Sequence, residues 1–410
     1  MQQIMVVLAL LLYTAFSFNP IAEISIFSRT FNLSPGDMFT ILFVFGILLK
    51  ALLQNQSDIF FERPPAVNRF LFAYLFLAVV FFLPTLLFFI VHNEMERYLF
   101  RSLFNYLLWL IALVLFYYGS DSRLKVKDLK YIVWLLMGIF FGGVVTNIVV
   151  STPGINFINL IIASLSSQST RLGGQIADPN QLGSLAAFLS VLGIMGVLYE
   201  KERKSQVIFF FLTVGTGFVM LLTQSRESML TLFIAVLCIL VFLLRDYQYG
   251  KFMVVLAGLM LGSVVIVSSI PRIVETISAI GVGDTGYVLS ARDQVWQSAL
   301  NVVFTYPLGI GFENLTYITN STAGQAHNAF MQSAVIAGFM GFIAFLIFLV
   351  VLFTLLWEQK RIVADNWLLG AYQVFFVGYL VTALGSDHFI SFYTFNAIFF
   401  GLLGFVVCAR

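Results

Sequence analysis

The sequence predicts an all-α polytopic membrane protein, with about twelve transmembrane helices and a helical loop region between the ninth and tenth. Three observations predict it. Of 410 residues, 60% are hydrophobic and 10% charged, and the mean hydropathy is +0.96, a balance foreign to soluble domains. Apolar stretches long enough to cross a bilayer recur along the chain. The basic residues also sort by loop: all eight lysines, Lys50, Lys125, Lys127, Lys130, Lys201, Lys204, Lys251 and Lys360, fall on one side of the threaded chain.

The spans are expected near 4–18, 37–54, 69–91, 98–118, 130–151, 181–199, 206–223, 227–244, 252–270, 327–356, 367–385 and 389–408. The first is short and runs into Asn19-Pro20, which leaves open eleven spans with a re-entrant piece. Loops after even-numbered spans hold the lysines together with Arg63, Arg69, Arg123, Arg203, Arg245 and Arg361. The opposite side carries only arginines: Arg29, Arg97, Arg101, Arg171, Arg226, Arg272 and Arg292. Lysine and arginine are retained in the cytoplasm, so the lysine side is inside and both termini are expected there. The first stretch lacks a small-residue cleavage site and is expected to be a retained span.

The whole of 1–410 is expected to form a single integral membrane domain. Its long non-spanning segments lie outside, near 19–36, 152–180 and 271–326, which points function to the outer face. The 155–166 stretch is apolar but too short to span, as an interfacial or re-entrant helix would be. Residues 290–304 have apolar positions at helical spacing and lead into a Pro/Gly turn, so a surface helix and a loop over the membrane are expected. Cys238 and Cys408 lie in spans and form no disulfide framework or metal cluster. A net charge of +2 with no basic, aromatic-interleaved soluble domain gives no reason to invoke nucleic acid.

Four local patterns carry the chemistry. In Arg171-Leu-Gly-Gly-Gln-Ile-Ala-Asp-Pro-Asn180, Asp178 or Asn180 suits a helix cap and Pro179 a first turn. Capping does not account for Arg171, or for Gly173 and Gly174, which let backbone approach a ligand closely; the plainer reading of Arg171 is a snorkelling arginine. In Thr223-Gln-Ser-Arg226-Glu-Ser228, a helix N-terminus presents free N–H groups, and Arg226 there makes an anion site unless Glu227 merely neutralises the dipole. Arg292 stands with Asp293 and Trp296 on the surface helix, ahead of Pro307-Leu-Gly309-Ile-Gly311; a solvated ion neighbourhood is the plainer alternative. Ala326-His327-Asn328 opens the tenth span, followed by Gly338 and Gly341. A helix N-terminus disfavours imidazolium, so His327 is expected neutral and able to accept a proton, as a general base must; the alternative is a capping residue. His92 and His388 also lie at outer span ends, and Asp387-His388 marks a second outer turn. Arginines stabilise a departing pyrophosphate without a metal, and a histidine deprotonates an attacking sugar hydroxyl, so the sum is glycosyl transfer from a lipid pyrophosphate, with no cofactor and no metal.

In this order the motifs resemble the O-antigen ligase/polymerase superfamily of bacterial envelope proteins, specifically over residues 171–341. The resemblance implies a metal-independent, inverting GT-C-type glycosyltransferase in the bacterial inner membrane, acting at the periplasmic face on undecaprenyl-pyrophosphate-linked glycan. It implies that Arg171 and Arg226 hold the pyrophosphate, that Arg292 assists from the loop, that Gly174 and Asn328 line the substrate, and that His327 is the base. Ligases use lipid A–core as acceptor and polymerases another lipid-linked repeat unit. The intact His-Asn pair favours a ligase, with an O-antigen or exopolysaccharide polymerase as the alternative. A lipid-linked glycan transporter is disfavoured because ionisable groups map to span ends and not to the midplane, and a non-catalytic scaffold gives no reason for arginines and a neutral histidine to converge.

Overall fold

The structure is a computed structural model that describes residues 2–16, 22–26, 29–33, 42, 63–91, 96–121, 124–151, 178–269, 292–312, 315, 318, 325–358 and 366–409. Along the chain run α1 (Gln2–Phe16), β1 (Ala22–Ile26), β2 (Arg29–Leu33), α2 (Pro65–Val91), α3 (Glu96–Gly119), α4 (Val126–Ser151) and α5 (Pro179–Tyr199). They are followed by α6 (Arg203–Thr223), α7 (Arg226–Arg245), α8 (Tyr249–Ser269), α9 (Arg292–Thr305), α10 (Ala329–Glu358), α11 (Trp367–Thr382), α12 (His388–Ser391) and α13 (Tyr393–Cys408). By length and composition, α2, α4, α5, α6, α7 and α10 contain candidate membrane spans, and shorter apolar helices lie in α3, α8, α11 and α13. The expected second span, 37–54, falls outside the described residues except for residue 42. So does the expected interfacial segment 155–166.

Apart from the helices, β1 pairs with β2 as a short antiparallel hairpin from Ala22↔Leu33 to Ile26↔Arg29. β1 alternates apolar and polar residues, the period of a strand. One expectation is corrected. The tenth span, expected as one helix over 327–356, is broken inside α10: Ala337 (φ −137°, ψ 29°) and Gly338 (φ 61°, ψ −156°) are non-helical. A helix over 329–336 precedes the break, and the longer run 339–358 follows it, roughly 30 Å by its rise.

The chain divides into two compact units, each built from separate stretches of sequence. The first comprises Met1–Leu129, Ala291–Lys360 and Ala383–Arg410. Here α2 packs along α10 and α3 along α13. Phe70, Tyr74, Phe116, Phe348 and Phe400 interlock at its centre. Lipid is as apolar as these side chains, so close contact and hydrogen bonds hold such helices together. The Trp109 indole donates to the Phe389 carbonyl at 2.9 Å, and Ser102 Oγ donates to the Phe312 carbonyl at 2.6 Å. These bonds fasten α3 to the turn before α13 and to the loop after α9.

The second unit comprises Lys130–Ser290 and Arg361–Thr382. Its axis is α5, 89% buried across its apolar window, whereas α6 is 33% buried and presents Phe210, Phe211 and Val214 outward, as a lipid-facing helix does. Phe188 of α5 meets Tyr372 and Phe375 of α11 edge-on, and Thr231 of α7 shares a 2.8 Å hydrogen bond with Thr382 of α11. At the Tyr199 end of α5, Lys130 Nζ lies 3.0 Å from Glu202 Oε2 and 3.7 Å from Glu200 Oε1. The hydrogen bond from Lys130, joined by one from Ser205, holds the exposed Glu202 carboxyl below the ordinary carboxylate range.

Candidate active site

In the second unit, the turn between α6 and α7 is built from hydroxyls. Gln224 takes the left-handed conformation (φ 50°) that ends α6, and Ser225 caps α7 by accepting from Ser228 N. Ser225 Oγ and Ser228 Oγ are 2.9 Å apart, and Ser228 Oγ reaches Ser184 Oγ of α5 at 3.2 Å. That approach depends on Gly183, since a Cβ there would stand 2.8 Å from both Ser225 Cβ and Ser228 Oγ. The sequence thus seats the N-terminal turns of α5 and α7 side by side. Asp178 caps α5 by accepting from Asn180 N at 2.9 Å, with Pro179 in the first turn as expected. Arg226 occupies the first position of α7, partly buried, followed by Glu227. A guanidinium over a helix N-terminus places fixed positive charge beside the positive end of the helix dipole, an arrangement that suits an anion.

In the first unit, His327 precedes the 329–336 helix in a left-handed conformation, φ 49°. The capping role falls to Asn328, whose Oδ1 accepts from the amides of Phe330 and Met331 at 3.0 Å each. On the other side of His327, Ala326 is pinned by both of its backbone groups. Its N–H donates to Gln332 Oε1 at 2.8 Å, and its carbonyl accepts from the Trp296 indole at 3.0 Å. Ala329 N, at the first position of the helix, donates to the carbonyls of Ala383 and Ser386 at 2.9 and 3.0 Å. Trp296 lies one turn along α9 from Arg292, so its bond to Ala326 ties the Arg292 helix to the residue before His327.

The Pro307-to-Gly311 loop and the Gly338-x-x-Gly341 pattern prove to be two halves of one joint. Ile310 N donates to Val335 O at 3.0 Å and Gly311 N to Ile336 O at 2.9 Å, so carbonyls at the break in α10 are satisfied by loop amides. Irregular backbone at membrane depth persists only when satisfied in this way. The fit leaves no space for side chains: a Cβ on Gly309 would stand 2.3 Å from Ile336 O, and one on Gly338 1.7 Å from Pro307 O. Gly338 also has backbone angles that are essentially reserved for glycine. Below the joint, Ala299, Val302, Ile310, Ala326 and Val335 pack with Phe88 as an apolar cluster that seats α9 on the 329–336 helix.

The Asp387-His388 turn lies against the 329–336 helix through the Ser386 carbonyl. His388 is 3% exposed, and burial lowers its pKa from 6.5 to about 3. Ser386 Oγ is within hydrogen-bond reach of its ring, and Ser391 Oγ donates to Asp387 Oδ2 at 2.6 Å. Burial thus favours the neutral ring.

Of the expected site residues, His327, Asn328 and Arg292 therefore belong to the first unit, linked through Trp296 and Ala326. Arg226 belongs to the second. Arg171, Gly174 and His92 lie outside the described residues. Among the described residues, Arg226, Arg292 and His327 each stand at the N-terminal end of a helix. Gln332, 1% exposed in an apolar segment, stands outside the four sequence patterns. A lone amide in such a run was the available signal, because polar side chains at membrane depth find partners. Among the described residues, no three of His, Cys, Asp and Glu gather as metal ligands would.

The apolar helices define a multi-pass α-helical membrane protein, with arginines and a histidine at its helix N-termini. A family model described as O-antigen ligase matches residues 208–346, a span that includes Arg226, Arg292, His327, Asn328 and both glycine patterns of the joint. Over those residues the chain is similar to the O-antigen ligase family. The curated proteins include no match.

Proposed function

We propose that this protein is an inverting, metal-independent glycosyltransferase of the inner membrane. It transfers glycan from undecaprenyl pyrophosphate to a sugar hydroxyl of lipid A–core at the periplasmic face, as an O-antigen ligase does. The observation that carries the reading is that, within the family match, Arg226 and Arg292 each begin a helix and His327 stands two residues before the start of a third. The helix ends supply what pyrophosphate departure and hydroxyl attack require. Guanidiniums at two helix N-termini stabilise the charge that grows on the leaving phosphate, and a histidine at the third withdraws the acceptor proton. Arg171 and Gly174 join Arg226 at the pyrophosphate, and Arg292 assists from α9. Asn328 serves the site through the cap that fixes the His327 turn.

The proton balance closes within this set. His327 takes the hydroxyl proton as the oxygen attacks the anomeric carbon from the side opposite the pyrophosphate. The anomeric C–O bond breaks, the lipid pyrophosphate leaves as an anion held by arginine, and the configuration inverts.

Purified protein in nanodiscs, given undecaprenyl-pyrophosphate oligosaccharide with and without lipid A–core, tests the proposal on a gel. Glycan on lipid A–core is the expected product. A ladder on the polyprenyl carrier without that acceptor would make the protein a polymerase. Lipid crossing the bilayer with no glycan transfer would make it a transporter and end the enzymatic reading.

A further inference from the structure

His327 sits in the left-handed region, φ 49°, uncommon for residues other than glycine, and its neighbours on both sides are held. The residue after it is fixed by its own cap. The residue before it has no secondary structure to hold it, yet Ala326 is fully buried, with its N–H on Gln332 and its carbonyl on Trp296. Gln332 stands on the same short helix that His327 precedes, while Trp296 comes from α9. Two side chains from two elements thus clamp the peptide groups that lead into the histidine.

We propose that Trp296 and Gln332 are positioning residues of His327. Their two hydrogen bonds hold the left-handed turn that aims the imidazole, and the indole makes that aim depend on α9 remaining docked. The inference rests on the reading of His327 as the base. A misplaced base loses rate while substrate binding persists, because the base is needed in the transition state and not in the bound complex. Trp296→Phe keeps the ring and removes the donor; Gln332→Met keeps the volume and removes the acceptor; Gln332→Glu keeps an acceptor oxygen.

The test is steady-state glycan transfer in nanodiscs by these three variants, alone and combined with His327→Ala. Trp296→Phe and Gln332→Met are each expected to lower kcat on the order of tenfold to a hundredfold, with KM for the donor within about twofold. Gln332→Glu is expected to recover most of the lost rate. In the His327→Ala background neither substitution is expected to lower the residual rate further, since no base remains to be aimed. Wild-type kcat in both Trp296→Phe and Gln332→Met, with His327→Ala inactive, would overturn this inference and leave the base in place. Equal losses with and without His327 would show a general structural role and overturn it as well. Should Gln332→Met fail to fold, Trp296→Phe carries the same test. Wild-type turnover by His327→Ala would remove the base itself, and this inference with it.

Discussion

Two helix N-termini carry the proposed chemistry, and they are built differently. The Arg226 turn heads a helix that runs unbroken to Arg245, and small hydroxyls packed against α5 lock it. The His327 turn heads a helix that stops at Ala337–Gly338, and side chains and carbonyls from elsewhere in the first unit hold it. The first construction is local, which suits the proposed cradle for charge. The second holds its turn through several separate struts, which suits the proposed aiming of a proton acceptor. The two turns are therefore expected to fail differently: disturbing the first weakens donor binding and charge stabilisation, and disturbing the second slows the proton transfer.

The largest expected effect tests the second turn. His327→Ala should lower turnover on the order of a thousandfold while leaving donor affinity near wild type, measured by glycan transfer and by donor binding in nanodiscs. Gly338→Ala should come next, because the added Cβ has no place beside Pro307 O and the backbone angles suit only glycine. A loss of about 3 kcal/mol or more is expected, read as a lower melting temperature and yield in detergent. Arg226→Lys keeps the charge of the first turn but removes the guanidinium fork. Turnover should fall roughly ten- to a hundredfold, and unchanged turnover would remove the clamp role.

Smaller effects sharpen the contrast. His388 is buried neutral, so its folded-state pKa lies below its unfolded value. Stability is therefore complete above pH 6.5 and declines as pH falls toward about 3. Roughly 2 kcal/mol should be lost between pH 7 and pH 5, and His388→Phe should flatten that part of the melting profile. Each cap should contribute about 1 kcal/mol, so Asn328→Ala and Ser225→Ala should melt alike. Asn328→Ala should act mainly on kcat, and Ser225→Ala mainly on KM for the donor.

Much of the first construction was legible in the sequence, and little of the second. Asp178 before Pro179 and Ser225 before Arg226 announce their helix starts by local chemistry that operates wherever the chain goes. The break in α10 leaves no trace in hydropathy, because the residues on both sides of it, 334–353, are apolar and membrane helices tolerate glycine. Its signature lies partly in another segment, at Pro307, Gly309 and Gly311, and only the tertiary fit shows that these glycines belong with Gly338. The roles of Trp296 and Gln332 are hidden for the same reason: each acts on the backbone of Ala326, which no side-chain pattern reports. The β1–β2 hairpin is the opposite case. The alternation of β1 was readable, and the surrounding helical content obscured it.

The division of labour between the two turns is read out by comparing donor binding and glycan transfer for Arg226→Ala and His327→Ala in the same nanodisc preparation. Arg226→Ala should lose donor affinity as well as rate, whereas His327→Ala should bind donor normally and transfer glycan at no more than about a thousandth of the wild-type rate. Transfer by His327→Ala at the wild-type rate would refute that division.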